Sequence, residues 1–257
     1  MSILSNKQKA VAVLNAIENG DAGAFAHINP TKYIQHNLSL VDGVAGIGAT
    51  VRSVPVGTLK ARVVRAFEDG DFVFTHTEYD FFGPKVGFDV FRFEDGKIVE
   101  HWDNLIETRT RNRSGRTQID GHVDIADLDR TAANKQIVRD FVMENWLLGG
   151  DTYDRYIQGD VYLQHNPDGA DGLLAFREVL AYFGHNDIAM RFTKLHKVLG
   201  EGNFVLVMSE GLFGQGAGVP TSFYDMFRLE NGAIVEHWDV IEEIAPRSAW
   251  KNGNGKF

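Results

Sequence analysis

The chain has 257 residues, 35 acidic against 26 basic, and a formal charge of −9 at neutral pH, with no cysteine. The acidity excludes a general nucleic-acid footprint, and the missing cysteine excludes disulfides, thiolate nucleophiles and cysteine metal sites. No apolar run is long enough to span a bilayer and the N-terminus carries no apolar signal core, so a cytoplasmic protein that binds neither membrane nor nucleic acid is expected.

Ser5 is placed to cap a helix in which Ala10, Val11, Val13, Leu14 and Ile17 recur at helical spacing, with Gly20 ending it. A short helix follows Asp21, then a short strand over Tyr33-Ile34-Gln35-His36-Asn37, then a helix from Val44 to about Val54. Four β segments follow, Leu59–Phe67, Phe72–Tyr79, Gly87–Phe93 and Ile98–Ile106, separated by Asp69-Gly70, Gly83-Pro84 and Asp95-Gly96. From Thr108 to Asp127 the chain is polar and aperiodic, and Arg109, Arg111, Arg113 and Arg116 read as part of this connector. A second helix signal then appears in Ile137, Val138, Phe141, Val142 and Leu147. Another short helix follows Asp151, and a third helix runs from Leu173 to about Tyr182.

The second half repeats the first. Tyr33-Ile34-Gln35-His36-Asn37 returns as Tyr162-Leu163-Gln164-His165-Asn166. The thirteen residues from Phe91 to Asp103 return from Phe227 to Asp239 with all but three identical. The blocks keep their order, so the repeating unit is a whole domain, with one copy expected over 1–120 and the other over 121–257. Helices first and an antiparallel meander after them predict an α+β unit with helices on one face of the sheet.

Reading Asp95-Gly96 as a two-residue turn sets a register. Asp89, Phe91, Phe93, Ile98, Glu100 and Trp102 then share one face. Phe88, Val90, Arg92, Val99, His101 and Asp103 take the other. Apolar residues on both faces predict that the two sheets pack together as an intrachain pseudo-dimer, with a further homodimer possible.

Tyr162 to Pro167, Asp171-Gly172 and Ile234-Val235-Glu236-His237-Trp238-Asp239 near the end of a meander resemble SnoaL-like proteins of the nuclear transport factor 2-like superfamily. The resemblance runs through both halves, and the tail Asn252 to Phe257 is similar to the ending of one subgroup. It implies two tandem cone-shaped α+β domains, each a curved, mostly antiparallel sheet wrapped around helices with a deep pocket between them. It also implies proton-transfer chemistry of the cyclase, isomerase or dehydratase kind, or ligand binding alone. Phe88 to Phe93 and Tyr224 to Arg228 resemble the strand on which steroid isomerases place a protonated aspartic acid. The general-base aspartate of those isomerases is replaced by Asn37 and Asn166. The cyclases' catalytic aspartate is replaced by Ile106 and Glu242.

The candidates follow. Asp89 and Asp225 are expected as neutral pocket acids, unpaired with Arg or Lys and titrating high, because burial disfavours the charged form. His36, His165 and His76 are candidate bases. Tyr33, Asn37, Glu100, Trp102 and their counterparts Tyr162, Asn166, Glu236 and Trp238 are expected to line the pocket. His101-x-Asp103 and His237-x-Asp239 have metal-ligand character, but a polar network with Arg92 and Arg228 is the preferred reading, so no metal is expected. Gly214 to Gly218 reads as a hairpin loop. No cofactor motif is present. The leading reading is a cofactor-free enzyme acting on a small apolar carbonyl compound. The rivals are a small-molecule binding protein and a purely structural domain.

Overall fold

A computed structural model of the chain describes residues 4–52, 55–157 and 161–257. Helix α1 spans Asn6–Asn19 and opens with a capping box in which the Ser5 hydroxyl accepts from the Gln8 N–H and the Gln8 side chain accepts from the Ser5 N–H. Such a cap is worth about 1 kcal/mol. Gly20 ends the helix at φ 70°, a left-handed conformation that glycine adopts without steric cost. A short 3-10 turn at Ala24–His27, strand β1 at Ile34–Gln35 and helix α2 at Val44–Arg52 follow. The expected end of α2 at Val54 lies outside the described residues.

Strands β2 (Lys60–Asp69), β3 (Phe72–Asp80), β4 (Pro84–Glu94) and β5 (Lys97–Glu107) form an antiparallel meander, and β1 adds in parallel beside β5, giving the order β1-β5-β4-β3-β2. Helix α1 lies against β2 and β3. Ala10, Val13, Leu14, Tyr33, Val73, Phe91 and Ile98 make the core between helix and sheet.

The same plan recurs after the connector. Helix α3 (Thr131–Phe141) runs into a π-helical turn at Val142–Leu147, followed by α4 (Tyr153–Tyr156), β6 (Leu163–Gln164) and α5 (Leu173–His185). Strands β7 (Ile188–Glu201), β8 (Phe204–Gln215), β9 (Val219–Glu230) and β10 (Ala233–Glu243) complete a sheet of order β6-β10-β9-β8-β7. Its core is more aromatic, with Phe141, Trp146, Tyr153, Tyr156, Tyr162, Phe192, Phe223 and Phe227.

One compact unit holds the residues up to Glu107 together with Ala245–Phe257, and the other holds Thr108–Ile244. The divide thus falls after β5 and after β10, where the reading from sequence placed it near Gly121. The reason is local hydrogen bonding. In the connector, Asn112 Nδ2 donates to the carbonyls of Gln164 (2.6 Å) and Asn166 (3.2 Å), and Arg116 pairs with Asp171 at 2.7 Å. In the tail, Asn252 Nδ2 donates to the carbonyls of Asn37 (2.8 Å) and Leu40 (3.0 Å), and Asn254 Nδ2 to that of Gln35 (2.9 Å). Each segment satisfies backbone carbonyls at the loop leaving β1 or β6, which would otherwise need water.

Candidate functional site

The hairpin turns form as expected, with Asp95 and Gly96 at φ 50° and 70° and Asn231 and Gly232 at 51° and 82°. Beyond the turn the register differs from a plain period of two. Phe93 pairs with Ile98 but Arg92 pairs with Glu100, so Val99 is one extra residue in β5, and Val235 is its counterpart in β10. A bulge of this kind moves every later side chain of its strand to the other face. Asp89 therefore lies opposite Asp103, and Phe91 opposite His101. His101 and Asp103 join Asp89, while Glu100 and Trp102 leave it, which reverses the expected faces of β5.

In the first domain β1 supplies the rest of the cluster. Gln35 pairs with His101 in the parallel register. The Asn37 N–H donates to Gln35 Oε1 at 2.8 Å, which identifies that atom as the amide oxygen. His101 Nδ1 lies 3.0 Å from the same oxygen, so Nδ1 carries a hydrogen. His101 Nε2 lies 3.1 Å from Asp89 Oδ1, and one proton is shared along that line. Asp89 Oδ2 accepts from the Tyr79 hydroxyl and from Thr75 Oγ1 at 3.3 Å. Asn37 Nδ2 donates to Asp103 Oδ2 at 2.7 Å, and Gln35 Nε2 to the Tyr33 hydroxyl at 3.3 Å. Burial raises Tyr33 and Tyr79 well above the usual phenol range, so both stay protonated.

The second domain keeps the same backbone of contacts. Asn166 N–H donates to Gln164 Oε1 at 2.9 Å, and His237 Nδ1 lies 3.0 Å from that oxygen. His237 Nε2 lies 3.1 Å from Asp225 Oδ1, and Asn166 Nδ2 donates to Asp239 at 2.7 Å. The donors to the second oxygen are gone. Val207 stands opposite Asp225 where Thr75 stands opposite Asp89. The pair Ala61–Tyr79 across β2 and β3 becomes Phe192–Gly211 across β7 and β8. An aromatic ring is retained, from the neighbouring strand, but without its hydroxyl. A side chain cannot return at Gly211, because a Cβ there would lie 2.0 Å from the Arg191 carbonyl oxygen.

Among the described residues Asp225 Oδ2 is consequently buried without a hydrogen-bond partner, as are Ser209 Oγ on the same face and Trp146 Nε1 in the same core. The π-helical turn contains Trp146, whose ring stacks on Phe192 at 4.6 Å. Burial pushes Asp225 well above the usual carboxylate range. It lowers His237 to about 4 and lifts Asp239 to about 6. A neutral imidazole with hydrogen on Nδ1 presents a lone pair at Nε2, so the Asp225 proton sits on Oδ1 facing it. The oxygen left open, Oδ2, is then an acceptor.

The sequence candidates separate by face. Tyr33, Asn37, Asp89, Tyr162, Asn166 and Asp225 lie within or beside these clusters. His36, Glu100 and Trp102 lie on the opposite face, where His36 stacks on Trp102 at 4.8 Å and Glu100 accepts from His36 (3.0 Å) and Arg92 (2.6 Å). His165, Glu236 and Trp238 repeat this, with Glu236 joined to His165 (2.9 Å), Arg228 (2.6 Å) and His122 (2.7 Å). Arg92 and Arg228 thus pair with glutamates, and the expected network through His101 and Asp103 is not formed. His76 is also on that face, stacked on Phe88 at 4.3 Å with Arg65 at 3.2 Å. Neither His36 nor His76 can reach Asp89 through the sheet.

Sequence reasoning missed Gln35, Gln164, Thr75, Tyr79 and Trp146. A signal for the first two was available: a repeated Arg-to-Glu pair across the hairpin, Arg92–Glu100 and Arg228–Glu236, fixes the bulged register and brings His101 beside β1. The ligand atoms of Asp89, His101 and Asp103, and of Asp225, His237 and Asp239, lie within 4.8 Å of one another. That spacing fits a cation, but one bound at the imidazole Nε2 would displace the proton shared with the neighbouring aspartate. A cleft of about 630 Å³ in the second unit is lined by Val179, Tyr182, Phe183, Ile188, Phe213 and Arg113, among others. Phe213 is six residues along β8 from Val207, about 20 Å at ~3.3 Å per residue, so the cleft and the Asp225 pair are separate features.

A family model described as SnoaL-like domain matches residues 10–101 and again 148–237. No curated protein matches the chain. Among solved structures, TsrD from Streptomyces laurentii is 21% identical over 41% of this chain and 90% of its own, with a TM-score of 0.35. A nuclear transport factor 2-like protein of unknown function from Cytophaga hutchinsonii is 12% identical over 41% and 93%, with a TM-score of 0.36. An LEH-like epoxide hydrolase from M. tuberculosis is 21% identical over 39% and 82%, with a TM-score of 0.34.

Proposed function

Because the chain belongs to the SnoaL-like domain family, we propose that it performs cofactor-free acid–base chemistry on a small, mostly apolar carbonyl compound. Isomerisation, aldol-type ring closure and dehydration all begin by removing a proton next to a carbonyl. The observation that carries the reading is the aspartate–histidine pair, present in both domains, with histidine Nδ1 pinned to a glutamine oxygen and one proton shared between Nε2 and Oδ1. Such a pair exchanges a proton inside an apolar core without leaving an uncompensated charge. The bases expected from sequence, His36, His165 and His76, are replaced in this reading by His101 and His237.

The test is to expose the purified chain to a metabolite extract, identify bound compounds by mass spectrometry, and follow each for conversion. Turnover that falls by about 10²-fold or more in Asp225→Asn or His237→Gln supports the reading. A bound compound that the chain never converts, at any pH, overturns it in favour of binding without chemistry. One observation favours that second reading for the first domain: both oxygens of Asp89 are already held by the chain's own side chains.

A further inference from the structure

We infer that the cleft between α5 and the start of β7 and end of β8 binds an apolar, ring-bearing monocarboxylate whose carboxylate is received by Arg113. This goes beyond the acid–base reading and does not depend on it. It names a second ligand site in the second domain, apart from the Asp225–His237 pair.

Three observations support it. The first is that the cleft is an addition to the repeated unit. In the first domain β2 and β3 stop at the pair Lys60–Asp80. The counterpart of that pair is Arg191–Leu212, next to Phe192–Gly211, and β7 and β8 continue past it through Met190–Phe213, Ala189–Gly214 and Ile188–Gln215. Ile188, Phe213, Gly214 and Gln215 of this extension line the cleft. The extension is braced at its end. Gln215 Nε2 donates to the Asn186 carbonyl at 3.1 Å, and the Gly216 N–H donates to that of Asp187 at 2.7 Å. Phe213 meets Phe183 of α5 edge to face at 5.7 Å. The added residues therefore make a fixed wall and not a frayed strand end. The second observation is the apolar lining. Val179, Tyr182 and Phe183 of α5 line the cleft together with Ile188 and Phe213 around about 630 Å³, a volume in the range of small-molecule sites. Tyr182 is 58% exposed, so its ring is open to a ligand and not used by the core.

The third observation is charge. The connector carries four arginines, and three of them are paired. Arg109 holds Asp168 through two bonds of 2.6 and 2.8 Å, Arg111 lies 3.5 Å from Asp120, and Arg116 lies 2.7 Å from Asp171. Arg113 lines the cleft and has no partner for its guanidinium among the described residues. Its backbone is nevertheless pinned on both sides. Asn112 Oδ1 accepts from the N–H groups of Ser114 and Arg116, both at 3.0 Å, and Ser114 Oγ accepts from the Asp171 N–H at 2.9 Å. An open guanidinium on a fixed turn presents a planar fork that matches a carboxylate. Two acids also line the cleft, Asp168 and Glu178. Asp168 is neutralised by Arg109, whereas Glu178 has no partner among the described residues. One open cation against one open anion favours a single negative charge on the ligand over a phosphate dianion. The apolar lining then requires that the rest of the ligand be a hydrocarbon ring system.

The experiment uses the intact chain and 2-naphthoate, with 2-naphthamide as the neutral analogue of the same shape. Calorimetric titration at pH 7 and low salt is expected to give one equivalent of bound naphthoate, with the amide weaker by about tenfold. Arg113→Met is expected to bring naphthoate down to the affinity of the amide while leaving the amide unchanged. Glu178→Gln removes a like charge and is expected to tighten naphthoate by about twofold or more. Tyr182→Ala is expected to weaken both probes alike. These three side chains are exposed, so each variant should melt with the parent. Amide spectra should shift on binding at Ile188, Gly214 and Gln215, while the carboxyl signal of Asp225 stays in place. No binding, equal affinity for acid and amide, an unchanged naphthoate affinity in Arg113→Met, a weaker one in Glu178→Gln, or shifts confined to the surroundings of Asp225 each overturns the inference. Binding here is read without turnover, so a failure of the acid–base chemistry proposed for the Asp225–His237 pair is distinguishable from a failure of this site.

Discussion

Glu236 offers a quantitative check on the electrostatics of the second domain. Its carboxylate is fully buried, and it accepts from His165 and Arg228 and, at 2.7 Å, from His122. Burial acts to raise its pKa, but the hydrogen bonds and charges of His165 and Arg228 outweigh it and hold the group at about 2 against an ordinary 4.5. At ~1.4 kcal/mol per pH unit, that depression corresponds to about 3 kcal/mol of stability. The folded pKa lies below the unfolded one, so this stability is fully present above pH 4.5 and is lost as pH falls toward 2. Glu236→Gln removes the charge. Urea unfolding followed by tryptophan fluorescence should place the variant about 3 kcal/mol below the parent at pH 7, narrowing to about 1.5 kcal/mol near pH 3. Asp239 and His237 also titrate across this range, but equally in both proteins, so the difference isolates Glu236. A gap that is absent at neutral pH, or that stays constant down to pH 3, refutes the assignment of a charged, fully paired Glu236.

Truncation after Ile244 removes the carbonyl partners supplied by Asn252 and Asn254, so amide exchange should accelerate between Gln35 and Asp42 while the strands β7 to β10 keep their protection. Gly211→Ala forces a Cβ to within 2.0 Å of the Arg191 carbonyl; thermal melting should show a loss of about 2 kcal/mol or more, and an unchanged melting temperature would mean that β7 does not press on β8 there.

The parts of the fold set by neighbouring residues were readable from sequence. Ser5 and Gly20 bound a helix as their backbone chemistry requires, and the Asp-Gly and Asn-Gly turns close their hairpins. The internal repeat gave two copies of one α+β unit without any structural information. What parity counting could not see was the single extra residue at Val99 and at Val235. One bulge moved His101, Asp103, His237 and Asp239 onto the aspartates' face and carried Glu100, Trp102, Glu236 and Trp238 away from it. The exchange of Ala61–Tyr79 for Phe192–Gly211 was equally hidden. It is visible only once β2 is registered on β3 and β7 on β8, and each of those pairings contains an irregularity. The tail's attachment to β1 spans more than two hundred residues, as in the 2.9 Å contact between His36 Nδ1 and the Gly255 carbonyl oxygen, beyond the reach of local pattern.

The most direct measurement is the carboxyl titration of Asp225 in the intact chain, followed by carbon-13 NMR with Asp225→Asn to assign the signal. The carboxyl should remain protonated at pH 7 while His237 shows a neutral ring with hydrogen on Nδ1. An Asp225 midpoint near the free-aspartate value of about 3.9, with His237 charged at neutral pH, would contradict a neutral, proton-sharing pair and the chemistry built on it.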